Sequence, residues 1–292
     1  MRRFWLGVAA ATVVSACSGG NPWVEDGGSG SDPDTTVPEV LQGDLDSVTY
    51  DSTAQTLTVK GMTFDGGPET TVYTRNAALD RVGYEAYTSQ NSSLDRHYTA
   101  YVKQMDGATA SIVVAGGQFG YYFGGSTYSR SGTYSAPASG QVTYIGNYVG
   151  LTNSARTPST DLLVPPAGTD PLNIPHQSGE VTGRVTITAN FTSTSIEGSV
   201  TDRVLVDSGT PIDNLELQNG EIAADGTFSG SVTQGVTDTV GDYGGIFGGS
   251  GATTVAGTLY VQDHVTGATD PEEYGLFVLA QCGTANADPS CP

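Results

Sequence analysis

The sequence predicts an all-β protein, and three observations carry that expectation. Glycine (40) and tyrosine (15) are abundant, and Val, Thr and Ser recur in short alternating runs suited to a pleated, half-buried surface. No apolar run keeps helical periodicity beyond a few turns. In the second half of the chain, strand-length segments follow one another with short turns between most of them. That is the rhythm of an eight-stranded antiparallel up-and-down barrel.

The chain opens with an export signal. Arg2 and Arg3 form a positive start, and Phe4 to Val14 is an uncharged apolar stretch too short to span a bilayer. Val14-Ser15-Ala16-Cys17 then resembles a lipobox. Small residues at 15 and 16 fit an extended protease groove, and the Cys17 thiol is the nucleophile that takes up the lipid. Residues 1–16 are therefore expected to be a cleaved lipoprotein signal, with lipidation at Cys17 and a palmitate-type anchor. The competing reading is an ordinary secretory signal that stops at a cysteine. Ser18, not Asp, follows the cysteine, which in diderm bacteria favours the outer membrane. Residues 17–42, rich in Gly, Ser, Asp and Pro, are expected to be a disordered tether.

Beyond the tether, the expected division is a β-rich, handle-like domain at 43–138, a barrel at 139–282 and a tail at 283–292. Strands are expected at 45–51, 55–60, 84–88, 97–104, 110–115 and 127–135 in the first part. In the second they are expected at 141–150, 180–190, 195–203, 215–223, 227–233, 243–248, 254–261 and 274–281. Ala54-Gln55, Asp106-Gly107 and Asp225-Gly226 suit the turns between them. Val185, Ile187, Phe228, Leu259 and Phe277 supply enough apolar bulk to fill a barrel of this size. With Cys17 lipidated, Cys282 and Cys291 remain as a pair, expected to be a disulfide in an oxidising compartment.

The formal net charge is −20. Such a surface repels nucleic acid and suits cationic partners, or it is simply that of an acidic exported protein.

The C-terminal half resembles the barrel domain of the transferrin-binding-protein-B-like surface lipoproteins. The resemblance lies in Gly244 to Ala252 (GGIFGGSGA), Val255 to Leu259 (VAGTL) and Tyr274 to Leu279 (YGLFVL), and in the earlier hairpin Val181 to Phe191 with Ser195 to Val200. Thr254 and Val255 stand where the family often has Glu before its Val-Ala-Gly stretch. The match covers residues 140–282. It implies a non-catalytic, cell-surface binding lipoprotein with a β-rich handle, anchored in the outer membrane, whose ligand is a protein or an iron-bearing molecule. A periplasm-facing structural or assembly lipoprotein is the second reading, and an enzyme of unknown type the third.

No catalytic set, metal site or cofactor motif is expected. Gly248-Gly249-Ser250-Gly251-Ala252 lacks the final glycine of a nucleophile elbow. His97, His176 and His264 lack metal-ligand spacing and read as solvated histidines, with haem ligation of one of them the alternative. Asp32 with Asp34, or Asp44 with Asp46, do not form a calcium-loop series. Two segments are binding candidates. The long proline-containing connection Leu151 to Gly179 carries Leu162, Leu163, Val164, Leu172 and Ile174, a partner surface or a passive link. The aromatic run Phe119, Tyr121, Tyr122, Phe123 and Tyr128 is expected to be core of the first sheet, with an exposed protein-binding patch the alternative.

Overall fold

A computed structural model describes residues 37–62, 69–132, 134–137, 140–156, 158–235 and 238–292. The signal, Cys17, Asp32 and Asp34 lie outside these residues. The tether is expected to reach residue 42, but its described residues are folded. Glu39–Gln42 forms a single helical turn whose Leu41 is fully buried. One apolar side chain with a place to dock is what the polar composition of that stretch conceals.

The first sheet holds β1 (Ser47–Asp51), β2 (Thr56–Lys60), β3 (Thr70–Arg75), β4 (Glu85–Ser89), β5 (Tyr98–Met105), β6 (Ala108–Gln118) and β7 (Tyr121–Arg130), paired in chain order. All neighbours are antiparallel. The β5–β6 turn places Asp106 and Gly107 at φ 45° and 80°, the two positive angles of a primed hairpin turn. β3 was not expected. Only Tyr73 of this strand is buried, so its sequence shows no apolar alternation.

The second sheet holds β8 (Gln141–Ala155), β9 (Ser178–Asn190), β10 (Ser195–Leu205), β11 (Thr210–Pro211), β12 (Leu215–Ile222), β13 (Thr227–Gln234), β14 (Asp238–Gly248), β15 (Thr254–Gln262) and β16 (Glu272–Ala280). Apart from the two-residue β11, these close into an eight-stranded antiparallel barrel. β9 pairs with both β8 and β10, and β8 also pairs with β16. The lumen is filled. Val185, Ile187, Phe228, Leu259 and Phe277 are buried in one cluster with Phe247 and Tyr243, as the sequence predicts. The glycines of the barrel make room for these rings. A Cβ on Gly257 would stand 2.4 Å from Phe277 Cζ, and one on Gly245 would stand 2.4 Å from Phe228 Cζ.

A second cluster joins the two sheets. Tyr84, Tyr101, Ala108, Ala110, Ile112, Val114 and Tyr128 pack against Val149, Leu151, Ile246, Ala256, Tyr274, Leu276 and Val278. β16 is thus covered on both faces, which accounts for its unbroken apolar run Tyr274 to Leu279 in place of alternation. Tyr84 goes further. The β8–β16 ladder stops at Val149 and Leu276. At the next step the Tyr84 hydroxyl donates to Asn147 O at 2.6 Å and accepts from Val278 N at 3.2 Å. A side chain of the first sheet therefore completes the wall of the barrel, satisfying two backbone groups that the ladder leaves open. Arg81 and Arg156 both hold the buried Glu180, Arg81 through Nε at 2.5 Å, adding a charged link at the same seam.

Candidate functional site

Up-and-down connectivity puts the β8–β9, β10–β12, β13–β14 and β15–β16 connections at one rim of the barrel. The β8–β9 connection is by far the longest. It starts after Ala155, ends before Ser178 and contains one short 3-10 turn at Pro171–Asn173, capped by the Asp170 side chain at Leu172 N. The preceding strand runs to Ala155, five residues beyond its expected end at 150.

This connection is fastened to the first sheet by polar side chains. Gln118, at the end of β6, donates its amide to Leu94 O and to Asn173 O, both at 2.9 Å. His176 N bonds Gly117 O at 2.9 Å, continuing the β6 edge into the loop. His97 Nε2 bonds Asp161 Oδ2 at 2.9 Å, and Gln90 Oε1 accepts from Leu163 N at 2.8 Å. The Gln177 side chain accepts from Thr160 N and Asp161 N. Arg96 reaches Tyr121 O and Gln118 O on the β6–β7 hairpin and lies 4.9 Å over the Phe123 ring. Gln118, Arg96, His97 and Gln177 are all buried. Burial pushes the Asp161 carboxyl up, but the hydrogen bonds from His97 and Thr88, with the charge of His97, outweigh it and hold it below its ordinary value.

Three segments therefore meet: the β4–β5 loop, the β6–β7 hairpin tip and the β8–β9 connection. They carry exposed apolar side chains: Leu94, Phe119, Tyr121 (61% exposed), Leu163, Val164 (88%) and Leu172 (72%). Of the five loop residues singled out from the sequence, Leu163, Val164 and Leu172 are exposed, while Leu162 and Ile174 are partly buried. The expectation that the aromatic run is sheet core is corrected at Phe119 and Tyr121. Phe119 sits at the hairpin tip with φ 56°, where no second layer can cover it. Only Tyr128 of that run is fully buried.

The histidine expectation is corrected too. His176 is exposed, but His97 and His264 are buried. His264 belongs to a cluster in which Tyr148, Arg203 (2.7 Å) and His264 (3.0 Å) all bond Glu273. A register shift between Thr201 and Val204, with Asp202 at φ 51°, turns Arg203 inward; a bulge re-aims a side chain in this way. Burial alone would raise the Glu273 carboxyl, but Arg203 and the hydrogen bonds from His264 and Tyr148 hold it down at about 2. The cluster ties β8, β10 and β16 to the β15–β16 connection. Asp44 accepts from Gly124 N, and among the described residues no group of His, Cys, Asp or Glu is arranged to hold a metal ion. At the opposite rim Cys282 and Cys291 form a disulfide.

Sequence reasoning missed Gln118, Arg96, Gln90 and Gln177. Single polar residues at strand ends carry no signal until the fold brings the loops to them.

No protein-family model matches the chain, and no curated protein matches it. Among solved structures, the chain is similar to a double mutant of transferrin-binding protein B from Haemophilus parasuis Hp5. That match has a TM-score of 0.43 and 14% identity, over 76% of this chain and 42% of that one. It is also similar to isotype 1 transferrin-binding protein B from serogroup B Neisseria meningitidis. There the TM-score is 0.34 and the identity 14%, over 82% of this chain and 53% of that one. The chain spans about half the length of these structures.

Proposed function

We propose that this protein is a lipid-anchored binding protein of the outer membrane, displayed at the cell surface, which captures a protein or iron-bearing ligand without catalysis. The single observation that carries the binding role is the loop surface. Exposed apolar side chains stand on segments whose backbone is pinned by buried Gln118, His97 and Gln177. A soluble surface that keeps large apolar groups in water on pre-ordered loops is suited to a partner, because little ordering entropy remains to oppose binding. The filled barrel directs that partner to the rim. The partner class rests on the sequence resemblance of residues 244–279 to the transferrin-binding-protein-B-like lipoproteins. Anchoring rests on the lipobox at Cys17.

Three experiments test this reading. Cys17→Ser should abolish metabolic fatty-acid labelling and leave unprocessed precursor; normal labelling and maturation overturn the anchor. Protease shaving of intact cells should remove the protein; full protection places it in the periplasm as a structural or assembly lipoprotein. Affinity capture from the native environment, with the mature unlipidated chain, should recover a ligand that Tyr121→Ser with Leu172→Ser loses. A ligand retained at equal affinity moves binding away from this surface.

A further inference from the structure

The exposed charge of the same rim is acidic. Its connections carry Asp170, Asp213, Asp263 and Asp270, all exposed, and Glu216 and Asp238 stand where β12 and β14 meet it. Those connections contain one cation, Arg156, and it is spent on Glu180 and Asp207. Arg203, just below, is buried on Glu273. At the opposite rim Asp288 pairs with Arg184 and Asp225 caps the turn at Thr227, which leaves Glu197 and Glu221 as its other exposed acids. Among the described residues, exposed acids are therefore more numerous at the rim of the long connection than at the opposite one. Between the β10–β12 and β13–β14 connections lies an open cleft of about 550 Å³, lined by Asp213, Asn214, Glu216, Gln234, Asp238 and Thr266. Each of these side chains presents oxygen, and three are carboxylates.

Building on the binding role proposed above, we infer that the partner of this rim is a basic protein. Its apolar centre meets Leu172, Val164 and Tyr121, and its lysine or arginine side chains enter the acidic cleft across the barrel mouth. Both features stand at the same rim, so one partner with a footprint of ~800 Å² is proposed to cover them together. The division of labour follows from physics. Rim charges act at a distance and set the association rate and its salt dependence, whereas desolvated apolar contacts set the dissociation rate. Like-charged proteins are turned away before contact, which gives selectivity without a shaped lumen. The cleft is too open to strip water from an ion, so it favours mobile ammonium and guanidinium groups over a coordinated metal.

The test uses the unlipidated chain of residues 18–292 and two reagent proteins of matched size, basic lysozyme and acidic α-lactalbumin, with association kinetics read at low and moderate salt. Lysozyme should associate and α-lactalbumin should not. The rim set Asp213→Asn, Glu216→Gln, Asp263→Asn and Asp270→Asn should slow association about tenfold at low salt and flatten its salt dependence. Asn tolerates the left-handed backbone at 263 and 270. The control set Glu39→Gln, Glu69→Gln, Glu197→Gln and Glu221→Gln removes the same charge from exposed sites away from the rim and should change the rate less than twofold. Equal slowing by the two sets shows that net charge alone attracts, and overturns the inference. So does an absence of preference between the reagent proteins. Neither result touches the binding role itself, which stands or falls on capture of the native ligand by the apolar surface.

Discussion

Tyr84 shows how much one hydroxyl can carry. It fills a missing rung between β8 and β16, so Tyr84→Phe leaves a buried carbonyl and a buried amide unsatisfied with no change of shape. The expected cost is about 2 kcal/mol, read as a lower urea midpoint at unchanged slope; an unchanged midpoint shows that the two groups find other partners. Glu273 makes a prediction in pH. Its carboxyl is held at about 2, below the usual 4.5. Its stabilising contribution is therefore complete above the unfolded value and is lost as pH falls through the folded one. Glu273→Gln leaves Arg203 buried without its counter-charge and should cost about 3–5 kcal/mol near neutrality. The gap between variant and native protein should narrow as pH falls toward about 2, measured by denaturant titration at a series of pH values. A gap that stays constant with pH places the proton elsewhere.

At the scale of elements, the β8–β9 connection is a long loop that behaves as part of the sheet because β6 holds it. Gln118→Ala removes both amide bonds to Leu94 O and Asn173 O, while the strands on either side keep their ladders. Amide exchange over residues 158–176 should then accelerate at least tenfold with the barrel strands unchanged. Exchange that rises equally in β8 and β9 identifies Gln118 as a fold determinant and not a clasp. The disulfide behaves differently. Cys282–Cys291 closes a short loop beyond the last strand, so its reduction should lower stability by only about 2 kcal/mol, with the barrel ladder intact by amide exchange.

The whole molecule behaves as one body by its packing. The cluster between the sheets is as buried as the barrel lumen, and Tyr84 and Glu180 place polar groups of each sheet within the structure of the other. An interface of that kind resembles a divided core and not a mobile domain contact. Thermal unfolding should therefore give a single transition with coincident near- and far-UV signals. Two separated transitions contradict this and make the sheets independent. The two rims differ as well: one carries the exposed Asp170, Asp213, Glu216, Asp238, Asp263 and Asp270 beside the apolar loops, the other carries exposed Glu197 and Glu221 with the paired Asp288 and the disulfide.

The all-β class, the eight long strands of the barrel, the residues that fill its lumen and the pairing of Cys282 with Cys291 are legible in the sequence. Period-two alternation, glycine opposite bulky rings and turn residues at strand ends are local consequences of strand geometry, so they can be read without neighbours. The sequence left β3 unseen, because a strand with one buried residue has no alternation to show. It placed Phe119 and Tyr121 in the sheet core, but they are exposed, and it did not foresee that His97 and His264 lie inside. These, together with the clasp of Gln118 and His97 on the long connection, arise only when the chain folds. His97 and Asp161 are 64 residues apart, and no local pattern encodes which polar groups will meet once a closed barrel turns its longest loop against another sheet. Burial and ion pairing are properties of that meeting. The candidate surface was legible as two separate segments, and folding made it one.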